Sequence, residues 1–72
     1  MPNIKNLTSD QIIKFLLNIG FEIIHQEGSH VQMRRGYLRV TVPHHGKKVL
    51  NIKTVYSIIR QTNITKEDLQ QM

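Results

Sequence analysis

The sequence predicts a small two-layer α+β sandwich in the order helix, three antiparallel strands, helix, with both helices on one face of the sheet and the other face open to solvent. Two observations predict it. Apolar residues recur at helical spacing near both ends, at Ile12, Ile13, Leu16, Leu17 and Ile19 and again at Ile52, Val55, Tyr56 and Ile59. Between them the period falls to two: Val31 and Met33, then Leu38, Val40 and Val42, alternate with polar side chains. An antiparallel sheet with one apolar face must bury it, and the two helices are the cover this chain has available.

The first helix is placed at about Ser9–Ile19. Thr8 reads as its N-cap, with Gln11 three residues on to complete a capping box, while Leu7 and Ile12 are spaced as a hydrophobic staple. Gly20 then stands where a helix ends in a left-handed residue. Phe21, Ile23 and Ile24 begin a short strand that reaches about Gln26, and Glu27-Gly28-Ser29 is a turn. The alternating runs His30–Arg34 and Leu38–Val42, joined by the Arg35-Gly36 turn, form an antiparallel hairpin. One of its faces is apolar, and the opposite face collects His30, Gln32, Arg34, Arg39 and Thr41. Pro43 has no N–H for a ladder bond and ends the last strand. After a polar loop, His44–Lys48, Asn51 caps a second helix whose stripe Ile52, Val55, Tyr56, Ile59 points inward while Lys53, Ser57 and Arg60 face water. Asn63 closes that helix, and Thr65 starts a short terminal turn containing Leu69.

Seventy-two residues are read as a single domain spanning 1–72, near the lower size limit for a core without staples. The absence of cysteine excludes disulfides and thiolate metal sites. The four histidines lack a two-histidine helical pair, so neither a metal nor a cofactor is expected. No basic segment followed by an apolar run opens the chain, and no apolar stretch approaches a membrane span, so a cytoplasmic location with no membrane partner is expected.

Charge is the most directional feature. The net charge is +5, and the 39 residues from Gly28 to Lys66 hold eight Lys or Arg and no Asp or Glu. Such a segment suits a polyanion, with nucleic acid foremost, because basic side chains neutralise phosphate and release counterions. Histidine within such a surface also suits proton transfer, since its ordinary pKa near 6.5 leaves both forms populated at neutral pH. His30 enters a strand on the open face beside Arg34 and Arg39. Its alternative role is to support the preceding turn. Ser29 offers either a phosphate contact or a turn cap. His25, close to the end of the first strand, reads as structural or solvent-facing. Lys47, Lys48 and Lys53, around the loop and the second helix N-terminus, are candidate phosphate contacts; Phe15 and Phe21 read as core, and only Tyr37 is placed to stack on a base.

Several of these features together resemble the HicA toxins: the helix ending at Gly20, Gly28-Ser29-His30 entering a strand, a strand ending in Pro43-His44, the basic loop, and a second helix ending before Leu69. The resemblance runs from about Leu7 to Leu69. These toxins are small messenger-RNA interferases with a fold like the double-stranded RNA-binding domain, which implies an α-β-β-β-α order and a metal-independent endoribonuclease activity on mRNA. The family's catalytic histidine falls on His30, and its Pro-His on Pro43-His44, making His44 a candidate second proton carrier or phosphate contact. The resemblance also implies a HicB-type antitoxin as partner, covering the active face. One departure is the Arg35-Gly36 turn, tighter than in many members. The competing readings are a non-catalytic RNA-binding module and an inactive member that only binds its antitoxin. Replacing both Lys47 and Lys48 by alanine is expected to flatten the log–log salt dependence of binding to an uncleaved single-stranded oligonucleotide by roughly 1.4 units. An unchanged slope would make both lysines bystanders.

Overall fold

A computed structural model describes residues 6–45 and 48–70, with Lys66 and Gln70 described in backbone only. Helix α1 spans Ser9–Asn18, and strands β1 (Glu22–Glu27), β2 (His30–Arg35) and β3 (Leu38–Pro43) follow. Helix α2 spans Ile52–Thr62 and a short α3 spans Lys66–Gln70. The sheet is antiparallel in the order β1-β2-β3. The architecture is the α+β sandwich expected, with helices on one face.

Local chemistry accounts for the boundaries. At the start of α1 the Gln11 N–H donates to Thr8 Oγ1 at 3.2 Å and the Thr8 N–H donates to Gln11 Oε1 at 2.9 Å, a complete capping box. Leu7 and Ile12, the staple pair, are both fully buried. The helix ends one residue earlier than predicted, with Ile19 as C-cap, and Phe21 N–H to Leu16 O (2.9 Å) and Gly20 N–H to Leu17 O (3.2 Å) close it as a Schellman motif. Both hairpins have two-residue loops, Gly28-Ser29 and Gly36-Tyr37. Gly28 and Gly36 sit at φ +58° and +60°, the left-handed conformation that such loops require of their first residue when the second stays at negative φ. Asn51 accepts the Lys53 N–H at 2.9 Å to cap α2, and Asn63, itself left-handed at φ 58°, ends it. Thr65 and Asp68 form a second reciprocal box at 3.0 and 3.1 Å that starts α3.

The core is one cluster. Val31, Met33, Val40 and Val42 from the sheet meet Ile12 and Leu16 of α1, Val55 and Ile58 of α2, Leu69 of α3, and Leu7, Phe21 and Leu50 from the connections. The connection after β3 is pinned to the segment before α1 by the Leu50 N–H to Leu7 O bond, 2.8 Å, and by a bridge between Thr8 and Val49.

Two parts of the predicted pattern are corrected. The inward stripe of α2 is Val55, Ile58 and Thr62, whereas Tyr56 is 48% exposed and Ile52 and Ile59 are half-buried. Tyr56 follows Val55 by one residue, about 100° around the helix, too far to share its face. Thr62 is tolerated in the core because its hydroxyl donates to Ile58 O at 2.7 Å. In β1, Ile23 and Ile24 stay 49% and 39% exposed, since β1 is a sheet edge and carries an irregularity between Ile23 and His25.

Leu16→Ala is expected to lower unfolding stability by about 2–5 kcal/mol, because the side chain is fully buried within the cluster. Thr8→Ala should cost about 1 kcal/mol through the lost cap. Chemical denaturation of both variants measures the two effects, and a Thr8 cost equal to that of Leu16 would refute the ranking.

Candidate active site on the open sheet face

Residues directly opposite in an antiparallel pair project from the same face. The strand registers therefore assemble three rows on the side away from the helices: Glu27, His30 and Pro43; then His25, Gln32 and Thr41; then Glu22, Arg34 and Arg39. The intervening rows carry Gln26, Val31 and Val42, then Ile23, Met33 and Val40, and face the helices. His30, Gln32, Arg34, Arg39 and Thr41 are all exposed, as the alternation predicts. Arg34 and Arg39 point away from the helices and stand directly across the β2–β3 ladder.

Charge is partitioned across this face. Its acids, Glu22 and Glu27, lie on the β1 edge, and β2 and β3 contain none. The acid-free segment begins at Gly28, in the β1–β2 turn, so the boundary in sequence is a boundary in space. Two guanidinium groups directly opposite one another repel, by up to about 1 kcal/mol at an exposed sheet position. A shallow trough of about 300 Å³ lies beside Arg39, lined also by Ile24, Gln32, Met33, Val40, Thr41 and, from α2, Gln61. Gln61 is held there by the Thr41 N–H, which donates to its Oε1 at 3.4 Å, and by its own Nε2, which donates to Ser57 Oγ at 2.9 Å.

The other sequence-predicted residues are distributed differently. Ser29 lies in the turn and its carbonyl accepts the His44 N–H. His44 follows Pro43, so its ring turns to the helix side, where Nε2 lies 2.7 Å from Asp10 Oδ1 and the side chain borders a cleft with Asp10, Ile13 and Val31. His30 and His44 thus do not share a face. His44 instead latches the exit of β3 to α1 and to the β1–β2 turn. Beside it, the His45 N–H donates to Ser9 Oγ at 3.0 Å. Lys48 and Lys53 are exposed on the connection to α2 and its first turn, and the Lys53 N–H is already occupied by the Asn51 cap. Lys47, with Gly46, lies outside the described residues. Tyr37 is 92% exposed at the far hairpin turn, beyond the Arg34–Arg39 row. Among the described residues no group of three or more His, Asp or Glu side chains is placed to hold a metal ion.

The sequence model of the family described as HicA toxin of bacterial toxin-antitoxin matches residues 9–64. The chain belongs to this HicA toxin family. A search of curated proteins found no match. The matched span starts at the first residue of α1 and ends just past Asn63, and so contains the whole sheet and the entire open face. As a HicA-family toxin, the protein acts within a toxin-antitoxin system and has an antitoxin as partner. No helix among its described residues is long and apolar enough to cross a membrane.

His25 is the open-face residue that sequence reasoning set aside. Counting back from the two-residue Gly28-Ser29 loop places it opposite Gln32, which is the signal that would have found it. Arg39→Gln is expected to raise thermal stability by a few tenths of a kcal/mol at low salt by relieving the repulsion with Arg34, with the gain fading above about 0.5 M salt. Thermal melts across a salt series check this. A loss of stability at low salt would show that Arg39 is paired rather than repelled.

Proposed function

We propose that this HicA-family toxin is a metal-independent endoribonuclease that cleaves mRNA with His30 as a proton-transfer residue. The supporting observation is the composition of the open face: an exposed histidine at the mouth of a strand, two rows from a cross-strand arginine pair, with no acid on β2 or β3. Cleavage without a metal requires a base for the ribose 2′-hydroxyl proton, an acid for the departing 5′-oxygen, and cations for the charge that builds on phosphorus. His30 serves a proton step, while Arg34 and Arg39 hold the phosphate chain. Ser29, Lys48 and Lys53 are further RNA contacts in this reading, as is Lys47 of the same acid-free segment of the sequence. The products are a 2′,3′-cyclic phosphate and a 5′-hydroxyl.

The partner antitoxin is of HicB type and covers the same open face, and the toxin acts in the cytoplasm. A partner seated there shields the rows of His30 and Arg34 together and withholds both from RNA. Two readings compete, a non-catalytic RNA-binding module and a member that only binds its antitoxin. Both leave His30 without a chemical task, and the following test separates them from the enzyme.

His30→Ala is expected to reduce RNA cleavage by about 10²–10⁴-fold, roughly 3–5 kcal/mol of barrier, and to abolish growth inhibition. Its stability should change by no more than about 0.5 kcal/mol, since the residue is exposed, and antitoxin binding should persist. Cleavage assayed with and without a chelator, beside thermal unfolding, decides the matter. Undiminished cleavage by the variant refutes the mechanism, and a large fall in melting temperature assigns His30 a structural role instead.

A further inference from the structure

We propose that His25 is the second proton-transfer residue of this site, acting as general acid opposite His30 as general base. The proposal rests on the ribonuclease reading above and supplies the partner that a single histidine lacks. In-line transesterification moves two protons on opposite sides of one phosphorus, and His44, the other histidine next to β3, turns its ring to the helix side and onto Asp10.

The geometry points to His25. The register sets Glu27 opposite His30 and His25 opposite Gln32, so the two histidines are diagonal neighbours on adjacent strands of one face. Diagonal positions in an antiparallel pair stand roughly 7–8 Å apart, a span across which two imidazoles each reach an oxygen of a bracketed phosphate at about 2.6–3.2 Å. A second contact fixes the face independently of the register. His25 Nε2 lies 3.7 Å from Glu27 Oε2, two residues along the same strand, while Gln26 between them borders the helix-side cleft with Ile13 and Val31. The His25 side chain is 55% exposed and open to substrate.

Glu27 stands beside both residues, its Oε2 3.7 Å from His25 Nε2 and its backbone paired directly with His30. With His30 as the base, the other proton step falls to His25. In the step, the 2′-oxygen forms a bond to phosphorus as the bond from phosphorus to the 5′-oxygen breaks. Neutral His30 takes the 2′ proton, and protonated His25 gives its proton to the departing 5′-oxygen. The scissile phosphate then lies over the β1–β2 ladder, with Arg34 and Arg39 along the strand contacting the chain beyond it.

The test separates acid from base by the leaving group. The cleavage site in an RNA oligonucleotide is first mapped with the wild-type toxin, and the bridging 5′-oxygen at that site is then replaced by sulfur, which departs without protonation. His25→Ala and His25→Gln are expected to cleave ordinary RNA about 10²–10⁴-fold more slowly than wild type and to cleave the sulfur-bridged RNA within about tenfold of it. His30→Ala is expected to be slow on both. Wild-type rates for either folded His25 variant on ordinary RNA, or equal losses on both substrates, would overturn the proposal while leaving the ribonuclease reading intact. A His30→Ala variant as fast as wild type would overturn that reading, and this proposal with it.

Discussion

Burial of Val31, Met33, Val40 and Val42 under the helices is the constraint on which the rest of the molecule depends. Each such side chain contributes about 1.5–3 kcal/mol when removed from water. A slip of one residue in the β2–β3 register would turn one strand's pair outward, a loss of about 3–6 kcal/mol. That is a large part of the whole stability of a small domain. The same slip would drive Gln32 and Arg34, or Arg39 and Thr41, into the core. The apolar half of the alternation thereby holds the polar half in register without any polar side chain having to specify it. The two glycine-led turns reinforce the register by setting both loops at two residues.

One row of the open face reads Glu22, Arg34, Arg39, so Arg34 has an opposite charge across from it on β1 and a like charge across from it on β3. Arg39, on the outer strand, is paired in register with Arg34 alone and leaves its charge open to an anionic partner. The repulsion between the two arginines is small beside the burial energy of the four apolar side chains, so the fold tolerates it. Under the proposed function, substrate and antitoxin compete for the same charges, so a surface suited to one is suited to inhibition by the other.

At the His30 end of the sheet, one connection performs several tasks. Leu50 bonds to Leu7, His45 to Ser9, and His44 reaches both Asp10 and the Ser29 carbonyl. Two of these contacts bring the start of α1 against the exit of β3, and the last ties that exit to the turn from which His30 emerges. His44 is accordingly placed to hold the turn in position from behind the sheet. Pro43, opposite His30 on the open face, separates the two histidines to opposite sides.

Local chemistry was legible in the sequence wherever a single element carried it. The Thr8–Gln11 box, the staple of Leu7 and Ile12, the Asn51 cap and the strand alternation depend on neighbours within a few residues, and each stands as read. So does the open face of β2 and β3, since period-two burial determines it from either strand alone. What the sequence left undecided involves neighbours distant along the chain. Tyr56 and Ile58 both suit an apolar helix face, and only the line along which α2 meets the sheet selects Ile58. His44, which the sequence offers as a second proton carrier or phosphate contact, has its ring beside Asp10, 34 residues away, on the helix side. His25 gained its place from pairing across the turn. Sequence by itself determined the elements, the apolar side of the hairpin and the charge boundary at Gly28, because these follow from spacing along one strand or helix. Only the tertiary structure decided which histidines share a face, because that depends on cross-strand register and on which helix lies behind each ring.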